Sequence, residues 1–132
     1  MSERTQAVTG YADVNGLHMY YEIYGEGQPL VLLHGGLGGI RMMDAMLPAL
    51  AGSRQVIAAD LQAHGRTADI DRPLRFELMG DDIAQLIKRL GAEKADVMGY
   101  SLGGGGALRA AIQHPEVVRR LVLVSTPFSQ DG

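Results

Sequence analysis

The 132-residue sequence contains no cysteine and no tryptophan. The absence of cysteine excludes a disulfide scaffold, a thiolate nucleophile and a zinc–thiolate site. Lysine and arginine form no basic cluster and the formal net charge is −3, so a nucleic-acid partner is not expected. No apolar stretch approaches the roughly 20 residues that span a bilayer, and the N-terminal MSERTQAVTG lacks the apolar core of a secretory signal. We therefore expect a cytoplasmic protein that contacts neither nucleic acid nor membrane.

The residues that are present predict one packed domain. Apolar residues make up 46% of the chain, which is enough for a core, and the length allows one domain at most. Four apolar runs, at residues 30–33, 56–59, 95–98 and 121–124, are continuous rather than alternating. Such runs are typical of strands buried on both faces of a parallel sheet. A β-prone stretch at residues 7–24 is divided by Asn15-Gly16, which is a hairpin signal.

Helical patterns lie between these runs. Apolar side chains spaced by three or four residues predict helices near residues 40–50, 76–90 and 102–114. Gly91 and Pro115 mark the ends of the last two. Strands that alternate with helices predict an α/β fold, with a mostly parallel sheet of about six strands, right-handed crossovers and flanking helices.

Residues 99–103, Gly-Tyr-Ser-Leu-Gly, match the pattern G-x-S-x-G between a buried strand and a helix, which is the setting of a nucleophile elbow. Only small side chains fit at Gly99 and Gly103, where a turn this tight passes close to neighbouring backbone. We predict that Ser101 has strained backbone angles, lies at the carboxyl edge of the sheet and acts as a nucleophile. The alternative is a glycine-rich turn whose serine merely caps the helix.

A second motif, His34-Gly35-Gly36-Leu37-Gly38-Gly39, follows the first buried strand. In an elbow fold this loop faces the serine and offers a backbone N–H to an oxyanion, beside the N–H of Leu102. Gly36 is the better predicted donor and Leu37 the second. A phosphate-binding loop is the rival interpretation, but neither G-x-G-x-x-G nor a Walker pattern is complete here.

A hydrolase of this kind needs a histidine as general base, and the chain contains His18, His34, His64 and His114. We interpret His34 and His64 as residues that brace loops, His18 as part of a remote hairpin and His114 as the solvated end of a helix. No spacing of histidine with aspartate or glutamate indicates a metal site, and no cofactor is expected.

Three methionines, Met42, Met43 and Met46, leave two interpretations open. They line an acyl pocket, or they fill the core beside a helix, which is the more common use of methionine.

These features together resemble the α/β-hydrolase superfamily. The resemblance runs through nearly the whole chain, over residues 20–22, 32–36, 60–66, 98–104 and 114–118. Within the superfamily the sequence is similar to single-domain esterases, lactonases and C–C-bond hydrolases that carry a lid. This chain has serine at the elbow, whereas the haloalkane dehalogenases and epoxide hydrolases of the superfamily carry aspartate at that position.

The resemblance implies eight strands, of which this chain supplies about six. In the family the lid follows the sixth strand, the catalytic acid the sixth or seventh, and the catalytic histidine the eighth. Residues 1–132 are therefore expected to be a truncated core domain without the lid, the last strands, the acid and the histidine. His114 does not replace that histidine, because at ~1.5 Å per helical residue it lies some 20 Å from Ser101.

The expected function is that of a serine hydrolase acting on a carboxylic ester or a related small acyl substrate. Ser101 attacks, Gly36 and Leu102 hold the oxyanion, and the acid and histidine come from outside this chain. Alone, the chain is expected to have little or no esterase activity. The alternative is a catalytically inactive scaffold or binding protein derived from a hydrolase.

The resemblance also implies an assembly. In the family's strand order the sixth strand pairs with the fifth on one side and with a seventh, which this chain lacks, on the other. Leu121, Val122, Leu123 and Val124 would then form an unpaired apolar edge, which templates pairing with another chain. We expect an oligomer, with the missing C-terminal part or another protomer seated along this edge.

Overall fold

The computed structural model describes residues 7–125, so most of the N-terminal stretch on which the secretory-signal prediction rests lies outside the described residues. In chain order the elements are β1 (Val8–Val14), β2 (Leu17–Tyr24), β3 (Gln28–Leu33), a 3₁₀ helix (Ile40–Met43), α1 (Leu47–Ala51), β4 (Arg54–Ala59), α2 (Phe76–Arg89), β5 (Ala95–Tyr100), α3 (Leu102–Gln113) and β6 (Val118–Val124). Within the described part of the chain, no helix is long and apolar enough to cross a membrane.

Six strands form one sheet in the order β1-β2-β4-β3-β5-β6. The strands β1 and β2 form the predicted hairpin, and both Asn15 and Gly16 have positive φ, 53° and 86°, as a type I′ turn requires. Strand β2 pairs antiparallel with β4, whereas β4, β3, β5 and β6 run parallel. The predicted α/β fold with a mostly parallel sheet is confirmed.

Helices α2 and α3 lie together against one face of the sheet, and glycines let them approach closely. A β-carbon at Gly80 would lie 2.8 Å from the backbone nitrogen of Ala110, and one at Gly105 would overlap the ring of Phe76. The main core lies beneath them. Its largest fully buried side chains include Leu17, Met19, Leu33, Ile57, Leu61, Ile83, Leu86 and Ile87. This face holds most of the apolar burial.

The prediction of one helix over residues 40–50 is wrong. The segment forms a 3₁₀ helix that ends at Met43 and a separate short helix that begins at Leu47. The physical reason is Pro48 in the first turn of α1. Proline has no N–H to donate to the preceding turn, so it begins a helix but does not continue one.

The prediction that residues 121–124 form a strand buried on both faces is also wrong for this chain. Leu121 and Leu123 are half-buried against the main core. Val122 and Val124 point to the other face and are 42% and 40% exposed. Strand β6 is the last strand of the described sheet, and α1 lies too far along the sheet to cover it, since its main sheet contacts are with β4.

Candidate active site

Ser101 lies between the end of β5 at Tyr100 and the start of α3 at Leu102. Its backbone has φ 53° and ψ −112°, a conformation that costs a non-glycine residue of order 1–3 kcal/mol and that clusters at functional sites. The Ser101 N–H donates to the carbonyl of Val124 at 2.9 Å, which ties the turn to the neighbouring strand. The predicted strained strand-to-helix turn at the carboxyl edge of the sheet is confirmed.

The two glycines that flank Ser101 are required by close backbone approach. A β-carbon at Gly99 would lie 2.6 Å from the α-carbon of Gly104, and one at Gly103 would lie 2.6 Å from the carbonyl oxygen of Leu33. These neighbours are main-chain atoms and cannot move aside as a flexible side chain would. Both positions therefore accept only glycine, for the steric reason that the sequence pattern suggests.

The glycine-rich loop begins where β3 ends, directly beside the elbow. Leu33 pairs with Gly99 across the two parallel strands, so the loop at residues 34–39 and the serine turn emerge at the same edge. Gly36 is exposed and lies against Leu102, whose β-carbon would be 3.7 Å from a β-carbon at Gly36. The two residues predicted as oxyanion donors are therefore neighbours in space. Leu37 has φ 63° and a fully exposed side chain.

His34 is fully buried and both of its ring nitrogens are engaged. Nδ1 lies 2.7 Å from the carbonyl oxygen of Gly35, and Nε2 accepts the Leu61 N–H at 3.0 Å. Burial lowers the pKa of His34 below its usual value, against the opposing effect of the Gly35 hydrogen bond. The neutral ring with its proton on Nδ1 satisfies both contacts, and it joins the glycine-rich loop to the loop that follows β4.

His64 lies beside His34, with ring centroids 5.0 Å apart. It is half-buried, and its Nδ1 lies 2.8 Å from the carbonyl oxygen of Gln62. The other two histidines lie elsewhere. His18 pairs with Asp13 in the hairpin, and His114 pairs with Asp81 at the far end of α3. Among residues 7–125, no group of three or more histidine, aspartate and glutamate side chains could hold a metal ion.

Asp60 is a site residue to which the sequence analysis gave no role. The residue is only 3% exposed, and its carboxylate accepts the N–H of Ile40 at 2.8 Å and the N–H of Arg66 at 2.9 Å. The available signal was an acidic residue directly after a buried strand, in a segment that the resemblance included. The hydrogen-bond partners of Asp60 could not be predicted from the sequence, because they are backbone amides.

The three methionines lie in different surroundings. Met43 is buried in a small core cluster with Leu32 and Leu47. Met42 and Met46 are exposed and border a cavity of about 280 Å³ that Met43, Met98, Tyr100 and Val124 complete. The cavity is apolar and lies next to the serine turn, because Tyr100 immediately precedes Ser101.

Comparison with known proteins adds a family to this geometry. Residues 28–131 match the family model described as alpha/beta hydrolase fold. The chain is 39% identical over 106 residues to the 2-hydroxymuconate semialdehyde hydrolase of Pseudomonas sp. strain CF600, covering 77% of this chain and 38% of that protein. It is 35% identical over 123 residues to the soluble epoxide hydrolase of Corynebacterium sp. strain C12, covering 91% and 42%.

Among solved structures, a serine hydrolase involved in carbazole degradation, the CarC enzyme, superposes with a TM-score of 0.87 at 28% identity. The superposition covers 95% of this chain and 50% of that one. The chain thus spans half the length, or less, of the proteins that it matches.

Proposed function

Since the chain belongs to the alpha/beta hydrolase family, we propose that it carries the nucleophile and the oxyanion hole of a serine hydrolase. The observation that carries the proposal is the backbone of Ser101, held at φ 53° between a buried strand and a helix. The Ser101 side chain makes no capping hydrogen bond to α3, so helix capping does not account for this conformation, and such strain is typical of an elbow that presents a nucleophile.

The proposed reaction is acyl transfer to water. The Ser101 hydroxyl attacks the carbonyl carbon of an ester or a related small acyl substrate, and a histidine takes its proton. The N–H groups of Gly36 and Leu102 stabilise the oxyanion that forms. Loss of one such donor typically lowers kcat by a factor of about 10²–10³. The leaving group departs with the proton, and water then hydrolyses the acyl-serine. The family resemblance favours an acyl substrate over an epoxide, because the epoxide hydrolases of the superfamily carry aspartate at this turn and this chain carries Ser101.

The histidine and its acidic partner are proposed to come from sequence outside these 132 residues. Both ring nitrogens of His34 are already engaged, and His114 lies at the far end of α3 from Ser101. The proposed contact runs along residues 121–124, because β6 is the last strand of the described sheet and exposes the apolar side chains of Val122 and Val124. The missing C-terminal part of the fold, or another protomer, would occupy it.

A fluorophosphonate probe tests the proposal, because it labels activated serines covalently. We expect weak labelling of the chain alone, since a serine without its base is a poor nucleophile. Labelling should rise strongly in the longer polypeptide that continues past Gly132, and it should vanish in Ser101→Ala. Ser125→Ala is a matched control, because Ser125 also follows a parallel strand and has φ 53°.

Two outcomes contradict the proposal in different ways. Labelling that persists in Ser101→Ala would place the nucleophile elsewhere. An unlabelled Ser101 in the longer polypeptide, with the fold intact, would favour the alternative of an inactive hydrolase-derived scaffold.

A further inference from the structure

The glycine-rich loop has almost no conformational preference of its own. Four of its five residues between His34 and Ile40 are glycine, the residue with the most backbone freedom to lose on ordering. Inside the loop, one backbone hydrogen bond from Gly38 to Gly35 spans 3.2 Å. The position of the Gly36 amide therefore depends on what holds the two ends of the loop and on Met42, whose Sδ accepts the Gly35 N–H at 3.2 Å.

One end is held by His34, through its contacts with Gly35 and Leu61. The other end is held by Asp60, whose Oδ1 accepts the Ile40 N–H at 2.8 Å. Ile40 begins the 3₁₀ helix that follows the loop, so this hydrogen bond fixes the point at which the loop stops.

Asp60 is itself rigidly placed. Its backbone N–H donates to the carbonyl of Tyr20 at 3.0 Å, and its carbonyl accepts the Thr67 hydroxyl at 2.8 Å. Its second carboxylate oxygen accepts the Arg66 N–H. The packing is tight on both sides, since a β-carbon at Gly65 would lie 2.6 Å from Oδ1 and one at Gly39 would lie 3.1 Å from it.

We propose that Asp60 is a positioning residue for the oxyanion loop: its carboxylate holds the Ile40 amide so that the Gly36 amide stays beside Leu102. The catalytic meaning of this inference rests on the proposed function, whereas the effect of Asp60 on the loop does not. A buried carboxylate with two amide partners is well suited to the task, because hydrogen bonds to a charged group are stronger than neutral ones.

Hydrogen–deuterium exchange of the 132-residue chain, read by mass spectrometry at single-residue level, tests the proposal. In Asp60→Asn the side-chain amide accepts one of the two N–H groups and turns its own NH₂ toward the other. We expect exchange at Gly38, inside the loop, to accelerate about ten-fold or more, the size expected for losing a hydrogen bond to a charged group. Amides within α3 should be unchanged.

Asp96→Asn is the matched control. Asp96 is also a buried carboxylate, but it pairs with Arg54 and Arg119 and lies five residues before Ser101, about 16 Å along β5. This variant should leave Gly38 exchange unchanged. If Asp60→Asn accelerates only Ile40 and Arg66 while Gly38 stays protected, the proposal is overturned.

If all amides of Asp60→Asn exchange as fast as those of an unfolded chain, the Gly39→Ala variant is used instead. Its methyl group presses on Oδ1 without removing the carboxylate, and exchange at Gly38 should again accelerate. A protected Gly38 in this variant overturns the proposal.

The labelling of Ser101 in the longer polypeptide is measured in parallel and separates the two proposals. Absence of labelling in the unsubstituted protein rejects the proposed function, whereas the exchange result still decides the role of Asp60.

Discussion

Helices α2 and α3 cover one face of the sheet along its whole width from β1 to β6, whereas on the other face of the described sheet the 3₁₀ helix and α1 pack mainly on β2, β3 and β4. Neighbouring side chains of β6 sample both environments, because successive residues of a strand point to opposite faces. Leu121 and Leu123 pack against the covered face, while Val122 and Val124 remain exposed on the open one. One face of β6 is thus covered by helices, and the other face is exposed.

This difference separates the parts of the candidate site. The serine turn and the amide of Leu102 belong to the covered face, because α3 begins there and packs on α2. The apolar cavity beside Tyr100 belongs to the open face. Parallel sheets are normally covered on both faces, so the serine turn lies on a covered face whereas the cavity beside it lies on one that is covered only in part.

The largest expected effect lies on the covered face, at Gly103. In Gly103→Ala the new methyl group meets the carbonyl oxygens of His34 and Leu33, and the backbone of β3 cannot yield. We expect a loss of at least about 3 kcal/mol in the free energy of unfolding, the upper range for overpacking, measured by urea denaturation. Such a loss is a large fraction of the stability of a small domain.

Gly52→Ala is the control for that substitution. Gly52 ends α1 with φ −65°, and a β-carbon there would meet only carbonyl oxygens at 3.5 Å and beyond. Alanine at such a position is expected to be neutral or to stabilise by about 0.4–1 kcal/mol. Equal urea midpoints for the two variants would contradict the close approach at Gly103.

A pair of methionines compares the two faces directly. Met79 is buried between α2 and α3, and Met46 is exposed beside the open cavity. We expect Met79→Ala to lower the free energy of unfolding by about 2–5 kcal/mol, because it leaves a cavity in the core. Met46→Ala should cost within about 0.5 kcal/mol. Comparable losses would show that the open face is covered in solution.

The elbow could be predicted from the sequence because its cause is local. Gly99, Ser101 and Gly103 stand within five consecutive positions, and the sterics of one turn dictate all three. The order of strands and helices was equally readable, because hydrophobic periodicity changes where each element ends. The single helix over residues 40–50 was predicted wrongly because the prediction followed apolar spacing alone, whereas Pro48 lacks an N–H and begins a separate helix.

Other features were beyond prediction because their causes are distant in sequence. Asp60 binds amides of Ile40 and Arg66, and a backbone N–H leaves no trace in the choice of residue. Arg72 and Asp82 form a buried ion pair between a loop and α2, and burial raises the pKa of Asp82 even though Arg72 opposes the rise. The exposure of β6 depends on which elements lie over it, and no pattern within the strand records that.

The smallest effect on stability, and the sharpest test of the open face, is expected for Val122→Lys. Val122 contributes little to the core, so the free energy of unfolding should change by no more than about 0.5 kcal/mol. Its apolar side chain on the last strand of the sheet is nevertheless expected to promote association, and a lysine there blocks edge pairing. Sedimentation should show the unsubstituted chain as oligomers and Val122→Lys shifted toward the 14.1 kDa monomer. Ile112→Lys is the control, because Ile112 is an apolar side chain of α3 that is 56% exposed but lies away from any sheet edge, and this variant should leave association unchanged. A single 14.1 kDa species for the unsubstituted chain would mean that the open face needs no partner.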